Sequence, residues 1–348
     1  MSLFDGMCCG RVAMEDLGLP IGNYYSSEID KFAIKAATEL FPSNVHLGDV
    51  TKWRGWDVDL GSVDLLFAGF PCQAWSSAGK QKGDNDPRGA LVHDLIAIWK
   101  EINKQRASLG KTPVKFLFEN VKMKKEFLEY INNLFGVEPV FINSALVSAQ
   151  NRQRYYWTNI GEVGQPEDKG VYLADIIEAG IVDRDKSYCI DANYFRGGNP
   201  KRYFERSSRQ LVFGDEWQPA SIVGRRLNER GVRDDYNKDV PITQCLQVKK
   251  CNRKVGCITT VQKDNVLTKL KPGRYPDVFN KLEEDFHYRK LTVREVMRLQ
   301  TVPDYIIDKL LGTDLSNNQL YKMTGNGWTV DVISHILSYL KEENTNET

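Results

Sequence analysis

A thiol, a carboxylate and two guanidinium groups fall where the pattern of this 348-residue chain could bring them together. Cys72 stands in Ala68-Gly69-Phe70-Pro71-Cys72-Gln73, directly after an apolar run at 63–67. Pro71 fixes its own φ and restricts Phe70, so the cysteine is held on a stiff turn rather than folded into a core. A cysteine after a strand is ordinarily a buried small residue. This context instead favours a nucleophile. Glu119 closes the run Phe116-Leu117-Phe118 and precedes Asn120-Val121. Placed at neighbouring strand ends, a cysteine and a carboxylate make a nucleophile and a proton-handling partner.

Three earlier strand ends carry a second kind of chemistry. Phe4-Asp5-Gly6-Met7-Cys8-Cys9-Gly10 ends one apolar run and opens a helix, with Gly6 and Gly10 allowing a tight turn and close approach of a ligand. Glu28, followed by Ile29, ends the next run about twenty residues on, where a carboxylate can accept both ribose hydroxyls of a nucleoside. Asp49, in Leu47-Gly48-Asp49-Val50, ends the third and is placed to meet an adenine amino group. Taken singly each acid reads as a solvated strand end. Three in succession point to a nucleoside site, and the missing Gly-x-Gly-x-x-Gly argues against a dinucleotide-dependent oxidoreductase.

The elements that must position these groups alternate in the manner of an α/β fold with a largely parallel sheet. Strands are expected at 3–4, 24–28, 45–47, 63–67 and 114–119. Phe32, Ile34, Ala37, Leu40 and Phe41 mark one helix face, and Leu91, Leu95, Ile98 and Ile102 another. A strand pair at 141–147 and 155–160 is separated by the polar segment 150–154, which cannot be a buried strand. Over 161–285 the rhythm fades; helical spacing returns at 291–299 and 330–340, before a polar tail expected to be solvated. The domains expected are therefore 1–160, carrying the catalytic groups, 161–285, a smaller irregular lobe, and 286–348, helices whose last member returns to the first domain.

Lys and Arg number 47 against 46 Asp and Glu, a formal net charge of +1, so any nucleic-acid surface must be local. Lys80, Lys82 and Arg88 lie among the hinge glycines Gly79, Gly83 and Gly89, as a closing loop with phosphate contacts would require. Arg196, Arg202, Arg225 and Arg226 interleave with aromatics in the variable lobe. Cys245, Cys251 and Cys257 recur six apart without a Cys-x-x-Cys or paired histidines, so no metal site is expected. Seven irregularly spaced cysteines point to a reducing compartment, and no apolar run approaches a membrane span.

From these residues the chain resembles the DNA cytosine carbon-5 methyltransferases. The Phe-x-Gly start, Pro71-Cys72-Gln73, Glu119-Asn120-Val121, Gln150-x-Arg152-x-Arg154, Arg294-Glu295 with Arg298-Leu299-Gln300, and Gly325-Asn326-Gly327-Trp328-Thr329-Val330 occur in family order. Cys8 and Cys9 stand where many bacterial members carry glycine, and Gly327-Trp328 where Ser-Val is commoner. Both departures are similar to the eukaryotic de novo enzymes and their phage relatives.

The resemblance implies a Rossmann-like, mostly parallel seven-stranded methyltransferase fold with a target-recognition domain at 161–285. It implies S-adenosylmethionine as methyl donor, leaving S-adenosylhomocysteine, bound by Phe4, Asp5, Gly6, Gly10, Glu28, Ile29, Asp49, Val50, Phe70, Pro71, Asn326 and Trp328. Cys72 would add to cytosine carbon 6, Glu119 would contact ring nitrogen 3 and the exocyclic amine, and Arg154 would reach the base's carbonyl oxygen with Arg152 close by. Double-stranded DNA is the implied partner, met by Gln73, Lys80, Lys82, Arg88, Arg196, Arg202, Arg225 and Arg226. A cytoplasmic, nucleoid-associated monomer is expected, with a separately acting cognate restriction endonuclease in one setting and an orphan or phage role in the other. A tRNA cytosine-5 methyltransferase shares most of these motifs but has a shorter variable lobe. A catalytically silent DNA-binding regulator would not need Cys72, Glu119, Arg152 and Arg154 intact.

Overall fold

The computed structural model describes residues 1–71, 89–199, 203, 206–214, 218–226, 236–248, 266–268 and 288–346, with backbone alone over 218–225, 243–248, 266–268 and 342–346. The chain divides into two compact units, one of Met1–Tyr172, Ile190–Phe195 and Val293–Thr348, the other of Leu173–Cys189 and Arg196–Thr292.

The first unit is built on seven strands: β1 (Ser2–Leu3), β2 (Tyr25–Ser27), β3 (Val45–His46), β4 (Leu65–Ala68), β5 (Lys115–Val121), β6 (Val140–Asn143) and β7 (Gln153–Thr158). Their order is β3-β2-β1-β4-β5-β7-β6. β1 pairs in parallel with β2 and β4, β2 with β3, and β4 with β5, while β7 runs antiparallel to both β5 and β6. Strand order therefore reverses between β1 and β4, where such sheets leave a crevice at their carboxyl ends. The expected seven-stranded, mostly parallel sheet is what the chain forms.

Helices α1 (Cys9–Asp16), α2 (Lys31–Leu40), α3 (Leu91–Ser108) and α4 (Lys125–Phe135) connect the strands. A short α5 (Leu173–Ile176) belongs to the second unit; α6 (Val293–Leu299), α7 (Asp304–Leu311), α8 (Asn317–Asn326) and α9 (Val330–Asn346) complete the first. α2 begins where the Asp30 side chain accepts the Phe32 amide, a standard N-cap. Its buried stripe is Ala33, Ala36, Ala37 and Leu40, whereas Phe32 and Ile34, expected in the core, are only half-buried. On this helix the small residues face inward. Ser316 and Gln319 close a capping box at the start of α8, a signal present in the sequence but not read there.

The core under β4 and β5 is aromatic. Phe118 and Phe135 lie 5.0 Å apart between ring centroids, Phe135 and Trp157 5.6 Å, and Phe70 and Phe135 5.9 Å. Those separations suit tilted and edge-to-face packing.

Two local readings need correction. The strand expected over 141–147 ends at Asn143, whose Oδ1 accepts the amides of Ala145 at 3.1 Å and Arg152 at 3.0 Å and turns Ser144–Leu146 into a 3-10 turn. The polar segment 150–154 supplies the first two residues of β7, Gln153 and Arg154, and its Gln150 and Arg152 are buried. Burial is tolerated because their polar atoms are satisfied. Gln150 Nε2 donates to the Leu299 carbonyl at 2.8 Å and its Oε1 accepts the Ile190 amide at 2.8 Å. Gln300 Nε2 donates to the Thr324 carbonyl at 2.9 Å, while its Oε1 accepts Thr329 Oγ1 at 2.9 Å. Ser148 donates to the Leu299 carbonyl at 2.6 Å, and Ser144 meets Thr329 Oγ1 at 2.9 Å. The same junction draws Ile190–Phe195 into the first unit rather than the second. α9 continues to Asn346, past the point where a solvated tail was expected.

In the second unit β8 (Leu211–Phe213) pairs with β12 (Tyr288–Lys290), and β9 (Gln218–Arg226) lies between β10 (Ile242–Val248) and β11 (Val266–Thr268) in an antiparallel sheet. Its interior is partly polar. Arg184 stacks 3.9 Å from the Tyr188 ring centroid, while Tyr203 and Gln210 both donate to Asp183 Oδ1. No described helix is long and apolar enough to cross a membrane. Among the described residues no three His, Cys, Asp or Glu side chains converge as a metal would require; the Cys245, Cys251 and Cys257 side chains lie outside them.

Candidate active site

A cavity of about 620 Å³ opens at the carboxyl ends of β1, β2, β4 and β5, and all the residues that line it belong to the first unit. Every residue assigned above to the cofactor lines it: Phe4, Asp5, Gly6, Gly10, Glu28, Ile29, Asp49, Val50, Phe70, Pro71, Asn326 and Trp328. Glu119, Arg152 and Arg154 line it too. Cys72, Gln73, Lys80, Lys82, Arg88 and Arg202 lie outside the described residues, as does the Arg225 side chain.

The loop from β1 to α1 has left-handed backbone at Phe4, Gly6 and Cys8, with φ of 57°, 56° and 61°. For a residue with a Cβ this costs about 1 kcal/mol, and at position 8 glycine would escape it. The cysteine is held by other means. Its Sγ donates to Asp5 Oδ2 at 3.0 Å, and its amide donates to the Asp5 carbonyl at 3.0 Å. Asp5 also accepts Tyr24 Oη at 3.0 Å and Ser26 Oγ at 2.7 Å. Its carboxylate thus braces the loop from beneath, and only the backbone and outer edge of the residue remain for a ligand.

Glu28 presents a carboxylate fixed by three amides: Oε2 accepts Gly6 at 2.9 Å, and Oε1 accepts Ile29 at 2.7 Å and Asp30 at 2.8 Å. Asp49 Oδ1 accepts both the amide and the hydroxyl of Thr51 at 2.9 Å, and these bonds hold its carboxyl below the ordinary value. Both acids therefore present fixed negative acceptors. Apolar surface comes from Phe4, Val50, Leu91, Trp328 and the strongly exposed Ile29.

Gly69 lies against Trp328: a Cβ there would stand 2.8 Å from the indole Nε1. Next, Phe70 puts its ring in the aromatic core while its carbonyl accepts Asn120 Nδ2 at 3.1 Å. Pro71 is the last described residue before position 72, and it lines the cavity. Glu119 and Arg154 face each other across β5 and β7, with Arg154 Nε 2.7 Å from Glu119 Oε1 and both side chains almost covered. The N–H does not point along that line, so the contact is an ion pair rather than an aligned hydrogen bond.

Arg152, only 3% exposed, donates to the carbonyls of Ile190 at 3.0 Å, Gly327 at 2.8 Å and Gly325 at 3.4 Å. Those bonds tie the wall Gly325–Trp328 to β7. Sequence reasoning missed Lys322, Met323 and Asp30, which also line the cavity. Lys322 and Asp30 are 292 positions apart, and no local pattern pairs them.

The donor set suits a nucleoside without phosphates. Two braced carboxylates can accept ribose and adenine donors, and the walls are apolar. The described lining cations are all engaged: Arg154 with Glu119, Lys322 with Asp30, and Arg152 with backbone carbonyls. Partners thus already occupy the cations that would pair with a polyphosphate. The lining fits a cofactor that carries a nucleoside without phosphates, as S-adenosylmethionine does.

The chain shares its architecture with the Entamoeba histolytica methyltransferase EhMeth, at a TM-score of 0.60 and 14% identity over 98% of this chain and 97% of that one. The fold is that of the S-adenosylmethionine-dependent methyltransferases. The profile of the family described as C-5 cytosine-specific DNA methylase matches residues 1–342. The chain belongs to that family, whose members are methyl-transferring enzymes. It is similar to the type II methyltransferase M1.ScrFI of Lactococcus lactis subsp. cremoris, 29% identical over 92% of this chain and 72% of that protein. It is also similar to the orphan methyltransferase M.SPRI of Bacillus phage SPR, 25% identical over 98% of this chain and 96% of that one.

Proposed function

We propose that this protein methylates carbon 5 of a cytosine flipped out of duplex DNA, using S-adenosylmethionine as donor and Cys72 as covalent nucleophile. One observation carries the reading: a single cavity is lined by every residue expected to hold the cofactor and by the Glu119–Arg154 pair, and its wall runs up to Pro71, the residue before Cys72.

Cytosine carbon 5 is too electron-poor to attack unaided, so the thiolate of Cys72 adds to carbon 6 and makes carbon 5 nucleophilic. S-adenosylmethionine supplies an electrophilic methyl group. Once carbon 5 has taken the methyl group, a water removes the carbon-5 proton and the Cys72 thiolate leaves, restoring the aromatic ring. Glu119 accepts a hydrogen bond from the exocyclic amine and shares a proton with ring nitrogen 3 as charge builds there, and Arg154, beside it, takes the charge that develops on the carbonyl oxygen. Arg152 acts one step back, fixing the wall opposite. A stacked base cannot reach such a site, so the target leaves the helix at a cost of a few kcal/mol.

The second unit is the candidate reader of DNA, and Arg196, Arg202, Arg225 and Arg226 belong to it by position. Of these, Arg226 Nη1 donates to the Lys238 carbonyl at 3.2 Å and to that of Val240, so it also holds the segment that leads into β10. M1.ScrFI is a type II methyltransferase and M.SPRI an orphan one, so the proposed role is protection alongside a separate endonuclease, or modification alone, in the cytoplasm at the nucleoid.

Incubation with methyl-labelled S-adenosylmethionine should place label in duplex DNA and not in tRNA. Duplex containing 5-fluorocytosine should be trapped as a denaturant-stable adduct. Label in tRNA alone would transfer the reading to RNA, and label in neither would reject it.

Glu119→Gln keeps size and one acceptor but removes the charge that pairs with Arg154 and the titratable oxygen that can share a proton with ring nitrogen 3. Single-turnover methyl transfer should fall by roughly 100- to 1,000-fold; the melting temperature should fall as well, because the covered Arg154 loses its counter-charge, so transfer is measured well below the variant's unfolding transition. A loss below about fivefold would remove Glu119 from the chemistry.

A further inference from the structure

Asp30 and Lys322 join two walls of the cavity. Asp30 follows the Glu28 turn, its Oδ1 accepting the Phe32 amide at 3.0 Å at the start of α2 while its Oδ2 lies 2.6 Å from Lys322 Nζ on α8. Both residues line the cavity, with side chains 25% and 49% exposed. The wall beyond Lys322 is Met323, Gly325, Asn326, Gly327 and Trp328. The opposite wall is Glu28 and Ile29, and the Asp30 amide is itself one of the donors that hold Glu28. A shift of Asp30 therefore reaches the acceptor proposed for the ribose.

Partial burial alone would push the Asp30 carboxyl up, yet the hydrogen bond from Lys322 and the amides of α2 hold it below its ordinary value, so Asp30 is ionised at neutral pH. A second ion pair, Lys35 with Asp314, also links α2 to the segment leading into α8, but neither residue lines the cavity. The molecule thus contains its own control.

We infer that the Asp30–Lys322 ion pair is a positioning element that sets the spacing of the two walls around the adenosine and so fixes cofactor affinity, an inference that rests on the proposed use of S-adenosylmethionine. Neither side chain takes part in the transfer. Asp30 acts through Glu28 and Lys322 through the wall that continues its helix. Because the pair is half-exposed, its effect is modest and weakens with salt.

The test is calorimetric titration of the full chain with S-adenosylhomocysteine, with thermal melting of each variant as the folding control. Asp30→Asn keeps a side chain that can cap α2 while losing its charge. Lys322→Gln removes the partner charge. Each should weaken binding about 3- to 5-fold, and the double variant should be no weaker than the poorer single one. Lys322→Arg should bind within about 1.5-fold of the parent, since the charge is kept, and so should Lys35→Gln, which breaks the distal pair. Raising NaCl from about 50 to 500 mM should weaken the parent and leave Lys322→Gln nearly flat.

Unchanged binding by Lys322→Gln, additive losses in the double variant, or an equal loss in Lys35→Gln would overturn the inference. Absence of any binding by the parent chain would overturn the cofactor reading on which it stands.

Discussion

Cys72→Ser is expected to lower methyl transfer by at least about 1,000-fold. A thiol near neutral pH is partly ionised, and neighbouring cations can raise that fraction, whereas a serine hydroxyl is not ionised and adds poorly to a pyrimidine. Neither of the other cysteines at this end of the sheet can replace it. Burial pushes the Cys9 thiol up to about 11, and burial followed by the charge of Asp5 pushes Cys8 well above its ordinary value. Both stay protonated and packed in the β1–α1 turn. The variant should therefore lose label transfer and the 5-fluorocytosine adduct together while still binding S-adenosylhomocysteine. Turnover within tenfold of the parent would exclude a covalent route through this residue.

Gly325→Ala is expected to be among the most damaging single methyl additions at the described glycines. A Cβ at position 325 would overlap the backbone of Asp191 and Ala192. Backbone cannot rotate away as a side-chain tip would, and Asp191 is anchored next to Ile190, whose amide and carbonyl are bound by Gln150 and Arg152. The cost should reach at least about 3 kcal/mol, a fall in melting temperature of roughly 5–10 °C. Gly22→Ala is the matched control: nothing lies within 4 Å of its added carbon, and its φ is not positive, so it should melt as the parent does. Melting of Gly325→Ala within about 2 °C of that control would show that the close approach is easily relaxed.

Much of the site was legible because parallel strands deliver their carboxyl ends to one edge. Gly6, Glu28, Asp49, Pro71 and Glu119 each follow an apolar run, and a sheet of that kind gathers them without any knowledge of strand order. What stayed hidden depends on contacts between distant parts of the chain. The burial of Gln150 and Arg152, in a segment read only as too polar for a buried strand, stayed hidden because periodicity reports apolar burial and is silent on polar atoms satisfied by carbonyls from Ile190, Leu299, Gly325 and Gly327. Ala33 and Ala36 of α2 were passed over for Phe32 and Ile34 because size was taken for depth. Asp5 was read as a ligand group from its place in the motif, and only the coordinates turn its carboxylate toward Tyr24, Ser26 and Cys8.

The polar junction of Ser144, Ser148, Gln150, Gln300 and Thr329 has a consequence for how the protein is made. Its halves are separated by about 150 positions, as in the bond from Gln150 to Leu299. A nascent chain that has reached the end of β7 exposes donors and acceptors with no partner, and it must cross the whole second unit before the partners leave the ribosome. The far end of the sheet is completed only by bonds to residues 299–329, a long-range closure of the kind that slows folding in general.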